Sequence, residues 1–249
     1  GASTHSWDGL YNELKHFFRV IAVDLPGHGF TKLGPRNRSS LEKITEDLQI
    51  LLELLQITPD LMVGHSAGAA VALRFALNKR LEPKGIVSIN GALDNFPGLA
   101  GILYPFFAKV LALSPLTVPL FTRMNSSKYN VRRLLNMTGS QIDDAGLEYY
   151  RRLISDDAHV SGTLAMMAQW NLHQLSKDWK LLDLPIQFLV GSQDKIVPKT
   201  VSYQVAKEIK SASIIENSPL GHLMHEEKPN LIANQILAFY RLISKNKST

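Results

Sequence analysis

The stretch "LMVGHSAGAAVALRFAL", from Leu61 to Leu77, decides how the chain is interpreted. An apolar run is followed by Gly-His-Ser-Ala-Gly and then directly by a second apolar run with the length of a helix. Glycines two residues before and after Ser66 predict a turn too tight for side chains on either side. Such a turn would lift the hydroxyl of Ser66 out of the backbone, where a substrate could meet it. Alternatively, Ser66 is only a helix N-cap, since serine is favoured at that position.

The composition sets the class of protein. The chain has 249 residues, of which 45% are hydrophobic and 20% charged, and this predicts a globular protein with one large domain or one domain plus an insertion. It contains no cysteine, which excludes disulfides and cysteine nucleophiles and fits a cytoplasmic protein. The formal net charge is +5, but the sequence has no Lys/Arg-rich run, and we therefore expect no nucleic-acid partner.

Short apolar runs alternate with amphipathic stretches along most of the chain. This alternation predicts an α/β fold with a mostly parallel sheet flanked by helices. The predicted strands are Arg19–Val23, Leu61–Val63, Ile86–Ile89, Ile186–Val190 and Ser213–Ile215. The predicted helices are Trp7–Phe17, Leu41–Leu55, Ala67–Leu77, Val201–Ile209 and Leu231–Ile243.

An interval of about 85 residues breaks this alternation and is too long for a loop in a compact domain. It contains two helical-looking parts, and we predict a helical cap inserted between strands, over the carboxyl ends where open α/β sheets bind ligands. The chain would then divide into a first core part at 1–95, the cap at 96–180 and a second core part at 181–249.

Three polar residues follow predicted strands and could act together. A serine hydroxyl needs a base to take its proton, usually a histidine held by a carboxylate. Ser66 follows one strand, Asp194 in "GSQD" follows a later one, and His222 in "SPLGHLMHEEKP" follows the last. Because the carboxyl ends of parallel strands share one edge of a sheet, we predict a catalytic triad of these residues.

Each member of the predicted triad has an alternative. Asp94, just beyond "SING", is a rival acid, and Asp194 could instead cap the helix after Pro198. His225 is a rival base that could equally belong to the following helix.

The remaining histidines are given structural roles. His28 in "DLPGHG" is interpreted as part of a turn, and His65 as packed against the sheet. The segment "HLMHEE" lacks the spacing that places two imidazoles on one metal ion, so we predict no protein-held metal and no cofactor.

Several motifs carry a family resemblance. The segments "GHSAG", "DLPGHG" and "GHLMHEEKP" resemble the α/β-hydrolase superfamily over nearly the whole chain. More narrowly, "TGSQIDDAGLEYYRRL" and "AHVSGTLAMMAQW" resemble the family of magnesium-chelatase accessory proteins of bacteriochlorophyll biosynthesis. The resemblance implies an α/β-hydrolase fold and a role near magnesium insertion into protoporphyrin IX in a photosynthetic bacterium.

The oxyanion hole is only partly visible in the sequence. One donor should be the backbone N–H of Ala67, directly after the nucleophile. The second normally comes from the loop after an earlier strand, but "GASTHSW" stands directly ahead of the first predicted helix. We therefore expect the N-terminal strands of the fold to be missing from this sequence, with Ala2, between Gly1 and Ser3, as the candidate for the second donor.

Two functions remain open. The first is a serine hydrolase acting on an ester or related acyl bond of an apolar or tetrapyrrole-like small molecule. The alternative is a non-catalytic accessory that binds a tetrapyrrole or supports magnesium chelatase on an α/β-hydrolase scaffold. We expect either protein to be cytoplasmic, with peripheral contact to the photosynthetic membrane as an option.

The predicted cap is basic and partly apolar. No acidic residue occurs between Asp94 and Asp143, and Gly101–Phe121 is strongly apolar. The basic side chains of this interval are Lys109, Arg123, Lys128, Arg132 and Arg133.

Three interpretations of this surface remain. The apolar face could pack on the core with the basic face solvated, or it could dip into an anionic membrane surface. It could also form a pocket in which aromatic rings stack on a porphyrin and arginines pair with its propionates. The aromatic residues in question are Tyr104, Phe106 and Phe107. The last two interpretations predict salt-sensitive binding of apolar anions through Arg123, Arg132 or Arg133.

Overall fold

A parallel sheet of four strands lies at the centre of the computed structural model, which describes residues 1–34, 38–94 and 117–245. The strands, in spatial order, are β1 (Leu61–His65), β2 (Gly85–Ile89), β3 (Ile186–Gly191) and β4 (Ala212–Asn217). Every neighbouring pair is parallel, so all four carboxyl ends lie at the same edge of the sheet. This confirms the predicted α/β class and the predicted parallel sheet.

Helices cover both faces of the sheet and fill the interval between β2 and β3. In chain order they are α1 (Asp8–Leu14), α2 (Leu41–Leu54), α3 (Ala67–Leu77), α4 (Thr117–Asn125), α5 (Lys128–Asn136), α6 (Asp144–Ile154), α7 (Asp157–Gln169), α8 (His173–Asp178), α9 (Lys199–Glu208), α10 (Met224–Glu227) and α11 (Pro229–Lys245). Short 3₁₀ turns occur at Thr4–Trp7 and Trp179–Leu181.

The two faces of the sheet bury two separate apolar clusters. Strands β2 and β3 are buried along their whole length, as expected for central strands with helices on both sides. Because successive side chains of a strand point to opposite faces, Ile86 and Phe188 join a cluster with α2 and α3. Val87 and Leu189 join the other cluster, with α1 and α11.

One predicted strand is not formed, and one predicted helix is shorter. Residues 19–23 have no regular secondary structure and pair with no described segment, and the side chains of Ile21 and Val23 are 44% and 37% exposed. An apolar β-branched run becomes a strand only where a neighbour supplies the hydrogen-bond ladder. The helix predicted at Trp7–Phe17 is limited to α1. The other predicted strands and helices agree with the structure to within two residues at each end.

Helices α4 to α8 lie where the cap was predicted, and residues 117–181 are called the cap segment below. Its own apolar cluster includes Val131 and Leu147 and extends to Leu223, beside the candidate base His222. Met166 and Leu175 pack instead into the cluster on the face of α2 and α3. The cap segment therefore shares its apolar surface with the core, while its predicted boundaries at 95/96 and 180/181 stay predictions.

Part of the predicted cap surface lies outside the described residues. This applies to most of the apolar stretch and to the side chains of Lys109, Tyr104, Phe106 and Phe107. Among the helices that the structure does describe, none combines the length and the apolarity needed to cross a membrane.

The loop "DLPGHG" and helix α7 touch backbone to backbone. A Cβ atom built on Gly162 of α7 would lie 2.1 Å from the carbonyl oxygen of Gly27, whose φ is +78°. The neighbouring Gly29 N–H donates to Nδ1 of His159, also on α7, at 3.1 Å. The predicted turn at His28 therefore also anchors the cap segment to the core.

We expect Gly162→Ala to destabilise the protein by about 1–3 kcal/mol, because the added methyl group must displace the backbone of Gly27. This would reverse the usual stabilisation by alanine inside a helix. Thermal unfolding measures the effect. The matched control is Gly68→Ala in α3, where no described atom lies within 4 Å of the new Cβ and the change should be neutral or stabilising. Equal shifts of the two variants would contradict the close contact.

Candidate active site

Ser66 occupies a strained turn between β1 and α3. Its φ of +52° and ψ of −118° are rare for a residue with a side chain. Its N–H donates to the carbonyl of Ile89 and its own carbonyl accepts from the N–H of Ala92, both at 3.0 Å. The side chain makes no capping hydrogen bond, so the turn is not explained by an N-cap role.

The two glycines around Ser66 are not equivalent. A Cβ atom on Gly64 would lie 2.3 Å from the carbonyl oxygen of Gly68 and 2.6 Å from Cα of Ala69, so only glycine fits there. A Cβ atom on Gly68 would meet no atom of the described residues within 4 Å. The prediction of a crowded turn is therefore confirmed at Gly64, before Ser66. At Gly68, after Ser66, it is wrong as far as the described residues are concerned.

The predicted acid and base form a direct pair. The Nδ1 atom of His222 lies 2.8 Å from Oδ2 of Asp194, and the two side chains are 8% and 1% exposed. The other carboxylate oxygen accepts from the N–H groups of Ile196 and Val197, at 2.7 and 2.9 Å. These bonds fix Asp194 within its own loop rather than at the start of α9. Donation from Nδ1 would leave Nε2 of His222 as a proton acceptor.

His222 lies next to the Ser66 turn. His65 Nε2 donates to the carbonyl of His222 at 2.9 Å, and the two rings have centroids 4.6 Å apart. Within the described chain no hydrogen bond joins Ser66 Oγ to His222; such bonds are often long before a substrate binds. His65, which was predicted to pack against the sheet, is the last residue of β1 and also holds the loop of His222 beside the Ser66 turn.

The rival acid and base have other environments. Asp94 is exposed and makes no hydrogen bond to any described histidine. His225 is fully buried, and its Nε2 lies 2.9 Å from Oγ of Ser6 rather than on Asp194. Burial lowers the pKa of His225 to about 3, so its ring is neutral.

Asn90, which the sequence analysis treated only as the end of a strand, joins three backbone groups at the site. Its Nδ2 donates to the carbonyls of Gly221 and His222, each at 2.9 Å, and its Oδ1 accepts from the N–H of Gly191 at 2.7 Å. The side chain is 2% exposed, and φ is +44°. Its place directly after the predicted strand Ile86–Ile89 was the available signal, because the ends of parallel strands meet at one edge of the sheet.

The segment between α5 and α6 is bonded to both loops of the acid–base pair. The carbonyl of Thr138 accepts from the N–H groups of Lys195 and His222, at 3.3 and 3.2 Å. Oγ of Ser140 accepts from the N–H of Leu223 at 2.8 Å. Residues of the cap segment therefore hold the loop of Asp194 through Lys195 and the loop of His222 through His222 itself and Leu223.

Glu227, which the sequence analysis did not single out, completes this junction. Its Oε1 accepts from the N–H of Gly221 at 2.9 Å, and its Oε2 accepts from the N–H of Gln141 at 3.3 Å. One carboxylate thus connects the histidine loop to the cap segment.

Glu226 forms a second, buried contact with the cap segment. Its Oε1 accepts from the hydroxyls of Ser6 and Tyr150, the latter at 2.6 Å. No lysine or arginine of the described chain pairs with it, and His225 Nε2 is 3.9 Å away. Burial raises the pKa of Glu226 to about 7 and holds the pKa of Tyr150 well above its usual value.

The predicted oxyanion donors lie in different parts of the structure. Ala67 is the first residue of α3, where backbone N–H groups have no partner within the helix. Ala2 is half-buried and packs against the cluster that contains Leu147 and Leu223. Its neighbour Gly1 accepts from Nε2 of His159 at 3.0 Å. No group of three metal-ligating side chains occurs in the part of the chain that the structure describes.

Comparison with known proteins identifies the scaffold. A family model described as the alpha/beta hydrolase fold matches residues 1–229. The chain belongs to the α/β-hydrolase family. The match confirms the predicted fold and the resemblance of "GHSAG", "DLPGHG" and "GHLMHEEKP" to this superfamily.

The narrower resemblance is also confirmed. The α/β-hydrolase chain is 42% identical to the magnesium-chelatase 30 kDa subunit of Rhodobacter capsulatus over 237 residues, which cover 95% of this chain and 82% of that protein.

Solved structures share the scaffold but differ in their reactions. An esterase from Exiguobacterium antarcticum matches with a TM-score of 0.76 at 15% identity, covering 96% of this chain and 88% of that one. A haloalkane dehalogenase variant from Bradyrhizobium elkanii matches with a TM-score of 0.76 at 17% identity, covering 99% and 88%. At these identities the likeness establishes the fold alone, so the reaction must be argued from the site.

We expect Asn90→Leu to destabilise the protein by more than about 2 kcal/mol, because three buried backbone groups would lose their partner at about 1–3 kcal/mol each. Urea unfolding measures the loss. The control is Asn12→Leu on the exposed side of α1, where the only hydrogen bond of the amide to a described residue is with Lys15. If both variants unfolded at the same urea concentration, the hydrogen bonds of the Asn90 side chain would not stabilise the fold.

The raised pKa of Glu226 predicts a pH dependence of stability. The folded protein holds this proton more tightly than the unfolded chain, whose value is near 4.5. The contribution of Glu226 to the free energy of unfolding is therefore complete below about pH 4.5 and is lost as the pH rises through about 7. Glu226→Gln should flatten the fall in stability over this window, measured by urea unfolding at several pH values. Glu82→Gln, at an exposed position, should leave the fall unchanged; a parallel effect of both variants would refute the assignment.

Proposed function

We propose that the protein is a serine hydrolase that cleaves an ester or related acyl bond, with Ser66 as nucleophile, His222 as base and Asp194 as orienting acid. The observation that carries the proposal is the 2.8 Å contact between His222 Nδ1 and Asp194 Oδ2. Both side chains are almost completely buried, and they lie beside the strained Ser66 turn. A carboxylate on Nδ1 sets the tautomer in which Nε2 can accept a proton. The turn presents the serine hydroxyl at the edge where the strands end.

The chemistry follows from these roles. Nε2 of His222 takes the proton of the Ser66 hydroxyl while Oγ bonds to the substrate carbonyl carbon, and Asp194 stabilises the imidazolium. The oxyanion accepts from the N–H of Ala67 and from a second donor for which Ala2 is the candidate. His222 then gives its proton to the leaving alcohol. Water attacks the acyl group on Ser66 by the same route and releases the acid.

The substrate class is inferred from the relatives. The similarity to a magnesium-chelatase subunit supports action near magnesium insertion, on an apolar or tetrapyrrole-like small molecule and in association with the chelatase. A cytoplasmic location with peripheral contact to the photosynthetic membrane belongs to the same proposal.

A second candidate is a non-catalytic accessory of magnesium chelatase. The observation in its favour is that the name of the 42% identical relative assigns it to chelatase and to no hydrolysis. In that case Asp194 and His222 would have only a structural role, and the protein would act by binding a tetrapyrrole or the chelatase.

Labelling by a fluorophosphonate probe separates the two candidates. The wild-type protein should form one adduct, at Ser66, because Oγ displaces fluoride only when a base activates it. Ser66→Ala should lose both the adduct and the hydrolysis of activated esters, by roughly 10⁴-fold or more. Asp194→Asn should be strongly impaired, with Asp94→Asn as the matched control at wild-type rate. A folded wild-type protein that stays unlabelled would move the function to the accessory role.

A further inference from the structure

A cavity of about 540 Å³ lies where the cap segment meets the loop after β3. Five of its residues lie on or directly after α5 at positions i, i+3, i+4, i+7 and i+8, which is one face of a helix. The sixth is Lys195, from the loop of the candidate acid. The lining residues are Tyr129, Arg132, Arg133, Asn136, Met137 and Lys195. The chain thus brings together side chains that are more than 50 positions apart.

The charge of this cavity is not balanced by the protein. Arg132 pairs with Asp144, whose side chain is 89% exposed, and exposed pairs of this kind contribute little. Within the described residues, Arg133 and Lys195 have no carboxylate at ion-pair distance. Three cations around one concave surface with a single acidic neighbour favour an anionic occupant.

The same cavity exposes large apolar side chains. Tyr129 and Met137 are 77% and 59% exposed, while Val131 and Leu135, on the other side of α5, are 0% and 7% exposed within the cap cluster. The packing of α5 therefore uses only its inner face. An aromatic ring and a thioether beside cations suit a ligand with an apolar body.

We propose that this cavity binds an amphipathic organic anion whose apolar body lies against Tyr129 and Met137 and whose carboxylates pair with Arg133 and Lys195. A guanidinium binds a carboxylate through two parallel hydrogen bonds, and the volume is in the range of small-molecule sites. Arg123, which the sequence analysis grouped with these arginines, does not line the cavity. The proposal goes beyond the hydrolase function and does not depend on Ser66 as a nucleophile.

The position of Lys195 connects this site to the acid–base pair. Lys195 directly follows Asp194, and its N–H shares the carbonyl of Thr138 with the N–H of His222. A ligand held by both α5 and Lys195 spans the junction that keeps Asp194 and His222 in register. Ligand binding should therefore raise the unfolding temperature of the protein as well as occupy the cavity.

The probe is protoporphyrin IX, which carries two carboxylates on a flat apolar body, titrated by quenching of tryptophan fluorescence at low and high salt. The Ser66→Ala protein is the background, so that binding is read apart from hydrolysis. Arg133→Gln and Lys195→Gln should each weaken binding about fivefold and together by more than tenfold. High salt should weaken binding to the parent protein and have little effect on the double variant. Arg241→Gln, which removes an exposed charge on α11, is the matched control.

The dimethyl ester of protoporphyrin IX keeps the apolar body and removes the charges, so it should not distinguish the double variant from the parent. Unchanged affinity of the double variant for protoporphyrin IX, or an equal loss in Arg241→Gln, would overturn the proposal. Loss of binding to anionic phospholipid vesicles in the double variant, with protoporphyrin IX binding intact, would assign the surface to a membrane and also overturn it. Circular dichroism checks that each variant is folded.

Discussion

The side-chain amide of Asn90 is the joint on which the arrangement of the candidate site depends. It uses both ends of one buried group to connect the end of β3 with the backbone of the histidine loop. The residue before it, Ile89, accepts the backbone hydrogen bond of Ser66, so the nucleophile turn is fixed to the same place. A strained φ/ψ pair persists only where its surroundings over-determine it. The loops that carry Ser66 and His222 therefore owe their relative position to one strand end.

The cap segment belongs to the same hydrogen-bonded framework. The carbonyl of Thr138 accepts from the N–H of Lys195, next to Asp194, and from the N–H of His222 itself. Ser140 and Glu227 add bonds to the two neighbours of His222, Leu223 and Gly221. Rotation of the cap about this connection would break bonds to the acid loop and the base loop together.

The sequence predicted what local patterns determine. Ser66, Asp194 and His222 could be found because each follows a short apolar run, and parallel strands bring such positions to one edge. The end of a strand marks the place of Asn90 in the same way, but the sequence does not reveal its partners, which lie up to 132 positions away. Ser140 follows no strand, and its partner Leu223 is 83 positions away. The strand expected at Arg19–Val23 failed for a related reason: an extended run needs a neighbour, and its own residues do not specify one. Lys195 lies beside the arginines of α5 only in the folded protein, because they are more than 50 positions apart in the sequence.

Three imidazole rings are in tilted contact beside the Ser66 turn. The ring of His65 lies 4.6 Å from that of His222 and 4.4 Å from that of His225. Burial lowers the pKa of His225 to about 3 and that of His65 well below its ordinary value, so neither ring competes for a proton near neutral pH. In the proposed mechanism, His222 is therefore the ring of this cluster that takes the proton of Ser66.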